Sequence, residues 1–159
     1  MGLDMFLTKE TYIGANYEHN NITGTVKLYK KGKSLRIRLN RITSITEEVA
    51  YWRKAWVIHK WFVDNVQDGV DNGGTYQVKY EQLVTLVNIC KRILNDYKTT
   101  KSTRLAEELL PVNIENEMGV VYDKWYFDML KRTVKMIDPV LARVPPKAWD
   151  ITFKYHSAW

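Results

Sequence analysis

The chain has 159 residues, a size that fits one domain, and 45% of its residues are apolar, enough to bury a full core. No apolar run approaches the roughly 20 residues that a membrane span requires, and the start, with Asp4 and no basic stretch, is unlike a signal peptide. The single Cys90 cannot form an internal disulfide, which suits a reducing compartment. We therefore expect a single domain over residues 1–159 in the cytoplasm, without a membrane partner.

The net charge of +6 is concentrated in one segment. Residues 27–41, KLYKKGKSLRIRLNR, contain seven basic residues and no acid, so the rest of the chain carries a net charge of −1. Such a segment attracts anions such as phosphate groups. In the alternative interpretation, its lysines only discourage edge-to-edge pairing of strands.

The first elements in chain order are strands. Residues 3–8 predict a short strand. Apolar and polar residues then alternate on either side of Gly32, which predicts a hairpin over residues 25–39 with Arg36 and Arg38 on its outer face.

The next segment predicts one long helix. Ser44-Ile-Thr-Glu47 matches a capping box, and the apolar residues that follow extend the helix from about residue 45 to Val66. This helix is apolar on most sides, which is typical of a buried helix. Lys60 and Asp64 have the i, i+4 spacing of an ion pair.

The remaining elements are three helices between two strands. They are a strand at 76–79, helices at 80–97, 105–110 and 123–138, and a final strand at 149–156. Asp123 is expected to cap the last helix, and Pro139 to kink or restart it. The order predicts an α+β fold, in which a mostly antiparallel sheet of N-terminal strand, basic hairpin and C-terminal strand packs on about three main helices.

The candidate ligand-binding residues combine cations, which bind phosphate, with aromatic rings, on which bases stack. Cations on an otherwise apolar helix need a partner, and an anionic ligand would supply one for those that no acid neutralises. A lone histidine in such a helix is more often a hydrogen-bonded core residue than a ligand. The candidates are Arg53, Lys54, Lys60, His59, Tyr51, Trp61, Arg36, Arg38, Tyr155 and Trp159.

Catalytic and metal-binding motifs are absent from the sequence. It contains no P-loop, no GxGxxG after a strand, no GxSxG and no HExxH. His19, His59 and His156 are far apart, and one cysteine cannot build a usual zinc site. We therefore expect no catalytic residue, no metal and no cofactor, although scattered residues can converge in a fold.

Several segments together carry a family resemblance. They are the start MGLDM, the run EVAYWRKAWVIHKWFVDNVQDGVDNGG, the segments LAEELLP and YDKWYFDML, and the ending WDITFKYHSAW. On these segments the chain resembles a family of small bacteriophage proteins, most of them uncharacterised. Lys79 and Ala158 depart from the usual residues of that family without a consequence for the fold. The resemblance implies a phage origin and a bacterial host cytoplasm, and it implies no activity.

Three functional hypotheses remain open. In the first, the protein is a non-enzymatic, phage-encoded binding protein that counters host defence by sequestering a phosphate-bearing nucleotide signal. In the second, it inhibits a host defence protein or binds nucleic acid directly. In the third, it is a nucleotide phosphodiesterase or hydrolase, with His59 as general acid or base and Arg53 and Lys60 on the phosphate. We also expect Trp159 to pack against the domain or against a second copy in a homodimer.

Overall fold

A computed structural model of the chain describes residues 2–14, 27–35, 37–112 and 122–159. Within these ranges the chain forms six strands and four α-helices. In order they are β1 (Asp4–Tyr12), β2 (Leu28–Lys30), β3 (Lys33–Leu35), β4 (Ser44–Arg53), α1 (Trp56–Val66), β5 (Thr75–Val78), α2 (Tyr80–Thr100), α3 (Arg104–Leu109), α4 (Lys124–Leu141) and β6 (Ile151–Ala158).

Four strands form one antiparallel sheet in the order β4-β1-β6-β5. The last strand of the chain, β6, therefore lies between β1 and β5. Asp4 is paired with Arg53 on one side and with Ala158 on the other. The C-terminal ends of β4 and β6 consequently meet the N-terminal end of β1 at the same end of the sheet.

The two faces of this sheet differ because successive side chains of a strand point to opposite sides. The inner face is buried with α1, α2 and α4 in one hydrophobic core. Its strand residues include Leu3, Met5, Leu7, Ala50, Trp52, Phe153 and Tyr155. The opposite face, called the outer face below, carries partly exposed side chains. It includes Asp4, Phe6, Thr8, Tyr51, Lys154 and His156.

The predicted α+β class with an antiparallel sheet is confirmed, but the basic hairpin does not belong to that sheet. Strands β2 and β3 pair with each other as a separate two-stranded sheet. Each strand has three residues, and the side chains of both strands are exposed, including Leu28 and Tyr29. Strands this short bury no apolar face, so nothing in them favours addition to the main sheet. Residues 25, 26 and 36 of the predicted hairpin lie outside the described ranges.

The single helix predicted from residue 45 to residue 66 was wrong in its first half. Ser44–Arg53 is strand β4, and the helix begins at Trp56. The side chain of Ser44 donates a hydrogen bond to Glu10 Oε1 on β1 at 2.8 Å instead of capping a helix. Lys54, with φ at 56°, turns the chain from strand to helix.

The other predicted elements are confirmed with shifted ends. The first strand extends to Tyr12, the helix after β5 extends to Thr100, and the last helix runs through Pro139 to Leu141. Asp123 caps that last helix, because its Oδ1 accepts a hydrogen bond from Tyr126 N at 3.0 Å. Among the helices described, none combines the length and the apolar composition needed to cross a lipid bilayer.

Trp52 provides a test of the packing between β4 and α4. Its side chain is 2% exposed, and its Nε1 donates to Thr133 Oγ1 of α4 at 2.9 Å. Trp52→Phe removes this donor inside the core, and we expect the free energy of unfolding in urea to fall by about 1–3 kcal/mol. Trp149→Phe alters a ring that is 65% exposed and should change it by less than about 0.5 kcal/mol. Equal effects of the two variants would contradict the buried placement of Trp52.

Candidate functional site

The ten predicted site residues do not converge on one point. Tyr51, Arg53 and Lys54 lie at the end of β4 and in the turn that follows it. Arg38 is exposed, beside a short 3-10 turn at Leu39–Arg41. Arg36 lies outside the described residues.

Lys60 and Trp61 lie on α1 and are already engaged within the protein. The predicted ion pair is confirmed, since Lys60 Nζ lies 2.7 Å from Asp64 Oδ2. The Trp61 side chain is 6% exposed, and its ring packs edge-on against Phe62 with a centroid distance of 5.2 Å. Trp61 is therefore covered by the protein, whereas Lys60 is exposed and a ligand would compete with Asp64 for it.

His59 lies in the interior, between two hydrogen-bonding groups. Its Nδ1 is 2.8 Å from Tyr155 Oη, and its Nε2 is 2.9 Å from Asp71 Oδ2. Burial, and next the charge of Asp71, raise the pKa of the Tyr155 hydroxyl, which therefore keeps its proton. In the arrangement that satisfies all three groups, Tyr155 donates to Nδ1 and the Nε2–H of His59 donates to Asp71. Both ring nitrogens are then used by the protein.

The C-terminal Trp159 packs on this chain, as expected. Its ring lies 6.0 Å from the His59 ring between centroids, and its Cη2 is 3.8 Å from the position that a Cβ on Gly73 would take. Gly73 has φ at 66°, a conformation that side chains disfavour. Half of the Trp159 side chain remains exposed.

At the end of β4, the side chains are held by the neighbouring strand. The Tyr51 hydroxyl donates to Asp4 Oδ1 at 2.5 Å. This hydrogen bond raises the pKa of Tyr51, with burial as the next cause, and the nearby charge of Arg53 opposes the rise. The charge of Arg53 therefore acts on the Tyr51 hydroxyl. Arg53 also lies next to residues of α4.

A cleft of about 120 Å³ opens where the turn from β4 to α1 meets α4. Four of its residues belong to α4 at the spacing i, i+3, i+4 and i+7, which places them on one side of that helix. The cleft is lined by Trp52, Arg53, Ala55, Trp125, Asp128, Met129 and Arg132. We call it the arginine cleft.

The arginine cleft is cationic and carries an exposed aromatic ring. Neither Arg53 nor Arg132 forms an ion pair or a side-chain hydrogen bond within the described part of the chain. Asp128 is bound to Lys131 Nζ at 2.9 Å, and this hydrogen bond lowers the pKa of the Asp128 carboxyl. The Trp125 side chain is 45% exposed. The site therefore offers two unused guanidinium groups beside one indole face.

The α1 helix adds to the positive potential at this cleft. Ala55 stands at its N-cap position, and no side chain accepts a hydrogen bond from the first-turn N–H groups there. The N-terminal end of a helix carries a partial positive charge, which favours a nearby anion. The turn at Lys54 thus places a guanidinium and a helix start at the same cleft.

The sequence pattern predicts Arg53 as a site residue but does not predict Trp125 and Arg132, which line the same cleft. Trp125 and Arg132 come from a helix that begins 71 positions after Arg53 in the chain, and their partnership depends on the packing of α4 against β4. One feature of the sequence indicates Trp125. It falls outside the apolar stripe of Tyr126, Phe127 and Leu130, so its large apolar ring faces away from the core.

Comparisons with known proteins found no relative of this chain. No protein-family model, curated protein or solved structure matches the chain. Over the described residues, no group of three or more histidine, cysteine, aspartate or glutamate side chains is arranged to hold a metal ion. The interpretation of the arginine cleft therefore depends on its own geometry.

Tyr155→Phe tests whether His59 is a structural residue. The change removes the hydroxyl beside Nδ1 and keeps the ring that stacks on Phe62. An unpaired buried nitrogen should lower the free energy of unfolding by about 1–3 kcal/mol. Tyr76→Phe is the matched control, because that hydroxyl bonds to Asn72 at an exposed site, and it should cost less than about 0.5 kcal/mol. A Tyr155→Phe protein as stable as the wild type would contradict the hydrogen-bonded chain.

Proposed function

We propose that the protein is a non-enzymatic binding protein that takes a phosphate-bearing nucleotide into the arginine cleft. The observation that carries this proposal is the pair of guanidinium groups, of Arg53 and Arg132, that have no partner within the described residues and flank an exposed indole. Phosphate would supply the missing anion, and the indole would supply a surface for the base.

Arginine is suited to this role by its geometry. Its planar guanidinium matches two phosphate oxygens with two parallel N–H donors, and such charge-assisted bonds are stronger than neutral ones. Two arginines that line one cleft can both donate to the same phosphate. Asp128 opposes an anion in the same cleft, but its charge is offset by Lys131.

The size of the cleft indicates how such a ligand would lie. Its volume of about 120 Å³ is below the roughly 300 Å³ at which pockets enclose whole small molecules. We infer that the phosphate enters the cleft while the base remains outside, stacked on Trp125. A stack of this kind tolerates different bases, since each base has a π face.

Binding without cleavage is favoured over hydrolysis by the surroundings of the candidate base. His59 is 4% exposed, and both of its ring nitrogens have partners within the protein. It is also absent from the residues that line the arginine cleft. A general base must reach the proton that it abstracts, so catalysis at this cleft would need another residue.

The biological setting of the proposal comes from the resemblance to small bacteriophage proteins. In that setting the ligand would be a nucleotide signal of host defence, which the protein would sequester. Direct binding to a host defence protein is the alternative, and it would leave the arginine cleft without a small-molecule ligand.

Calorimetry against cyclic and linear dinucleotides and trinucleotides and ADP-ribose tests the proposal. We expect one ligand of this panel to bind, and Arg53→Ala and Arg132→Ala each to weaken it by roughly 10-fold to 100-fold, the range for a charge-assisted hydrogen bond. Asp128→Asn should strengthen binding, because it removes the acid of the cleft. A gain of affinity cannot result from misfolding.

Arg143→Ala is the matched control, because this exposed arginine follows the same helix and does not line the cleft. Ligand recovered after denaturation of the complex should be intact, whereas an enzyme would return product. The proposal is wrong if no member of the panel binds, or if Arg143→Ala weakens binding as much as Arg132→Ala does.

A further inference from the structure

Three aromatic rings lie side by side on the outer face of the sheet. Phe6 on β1 is paired with Tyr51 on β4 and with His156 on β6. The ring centroids of Phe6 and Tyr51 are 5.3 Å apart, and those of Phe6 and His156 are 6.2 Å apart with planes 19° from parallel. The three residues, called the ring row below, therefore cross three adjacent strands.

The ring row is separate from the hydrophobic core. Phe6 and Tyr51 belong neither to the buried core nor to the partly buried side chains that pack against it, among the residues described. All three side chains are partly exposed. Phe6 and Tyr51 therefore keep part of each ring at the solvent-facing surface of the sheet, where a partner can contact it.

The charges around the ring row are favourable to an anion at one end. Glu10 is bound by Lys154, whereas Asp4 accepts from the Tyr51 hydroxyl and keeps its negative charge. Arg53 stands opposite Asp4 in the register of β1 and β4, and Lys54 follows it, so two cations accompany one acid at this end. Neither of these two cations has an ion pair in the described part of the chain.

At the other side of the row the charge is reversed. Glu48 is exposed and is the register partner of Thr8, two residues after Phe6 on β1. A polyanion that follows the row would therefore run along the Arg53 and Lys54 end and avoid the Glu48 side. The surface thus has an aromatic centre with one cationic border.

We propose that the outer face binds single-stranded nucleic acid, with two or three bases stacked on Tyr51, Phe6 and His156. The sugar-phosphate backbone passes the Arg53 and Lys54 end. Partly exposed rings on the open face of a four-stranded antiparallel sheet suit unpaired bases, whose faces are free to stack. A duplex hides those faces in its own stack, so it would meet the rings only at its ends.

This surface is distinct from the arginine cleft, and the two are tested separately. Trp125 lies in the cleft and is not part of the ring row, whereas Phe6 does not line the cleft. Arg53 lies near both, so it is not used to separate them. Phe6→Ala and Trp125→Ala are therefore the two informative variants.

Fluorescence anisotropy of end-labelled oligouridylate and oligodeoxythymidylate, titrated with the full chain at low and at physiological salt, measures the binding. We expect saturable binding that weakens as salt increases. Phe6→Ala should weaken it by roughly 5-fold to 100-fold and by more than Trp125→Ala does, and Phe6→Tyr should retain it. The unfolding midpoint of Phe6→Ala, measured in parallel, shows that the variant is folded.

Three results would overturn the inference. They are an absence of binding to both oligonucleotides, an affinity for a duplex of the same sequence equal to that for the single strand, and a Phe6→Ala protein that binds as tightly as the wild type. Loss of binding in Trp125→Ala with retention in Phe6→Ala would place the single strand in the arginine cleft instead and would equally overturn it.

Discussion

The stacking of Tyr155 on Phe62 joins the sheet to its helical layer. The two rings are 3.9 Å apart between centroids and 8° from parallel, and the Tyr155 hydroxyl also contacts His59 Nδ1. Tyr155 lies on β6, one of the two inner strands, so this contact packs α1 against the middle of the sheet. The turn at Lys54 joins β4 to α1, and the hydrogen bond from Trp52 Nε1 to Thr133 Oγ1 holds α4 beside the end of β4. The arginine cleft lies where these three elements meet.

Much of the fold can be predicted from the sequence, and the largest error, the helix predicted from residue 45 to residue 66, has a physical origin. The helices at 80–97 and 123–138 were found because each buries one apolar stripe at helical spacing. Ser44–Arg53 was misread because a β-bulge opposite Leu7 and Thr8 interrupts its period-two alternation. Apolar residues of a bulged strand, joined to those of α1, then imitate a helix that is apolar on most sides.

Less of the candidate site can be predicted from the sequence, because the site depends on contacts between distant parts of the chain. The i, i+4 spacing predicts the ion pair that neutralises Lys60, and it leaves Arg53 as a cation in need of a partner. The residues that accompany Arg53 at the cleft come from α4, and only packing brings them to it. Similarly, the sequence is compatible with His59 as a general base or as a core residue. Its two hydrogen-bond partners are Tyr155 and Asp71, and no local sequence pattern connects either of them to His59.

The most direct test of the central claim, that the arginine cleft binds a phosphate-bearing ligand, is a titration followed through the indole N–H resonances of the tryptophans. Titration with ADP-ribose and with a cyclic dinucleotide should shift the Trp125 resonance saturably with one of the two ligands. The resonances of Trp149 and Trp159, which are 65% and 50% exposed, should stay in place. Shifts at Trp149 or Trp159 with none at Trp125 would contradict the account, because they would show that the ligand binds elsewhere on the surface.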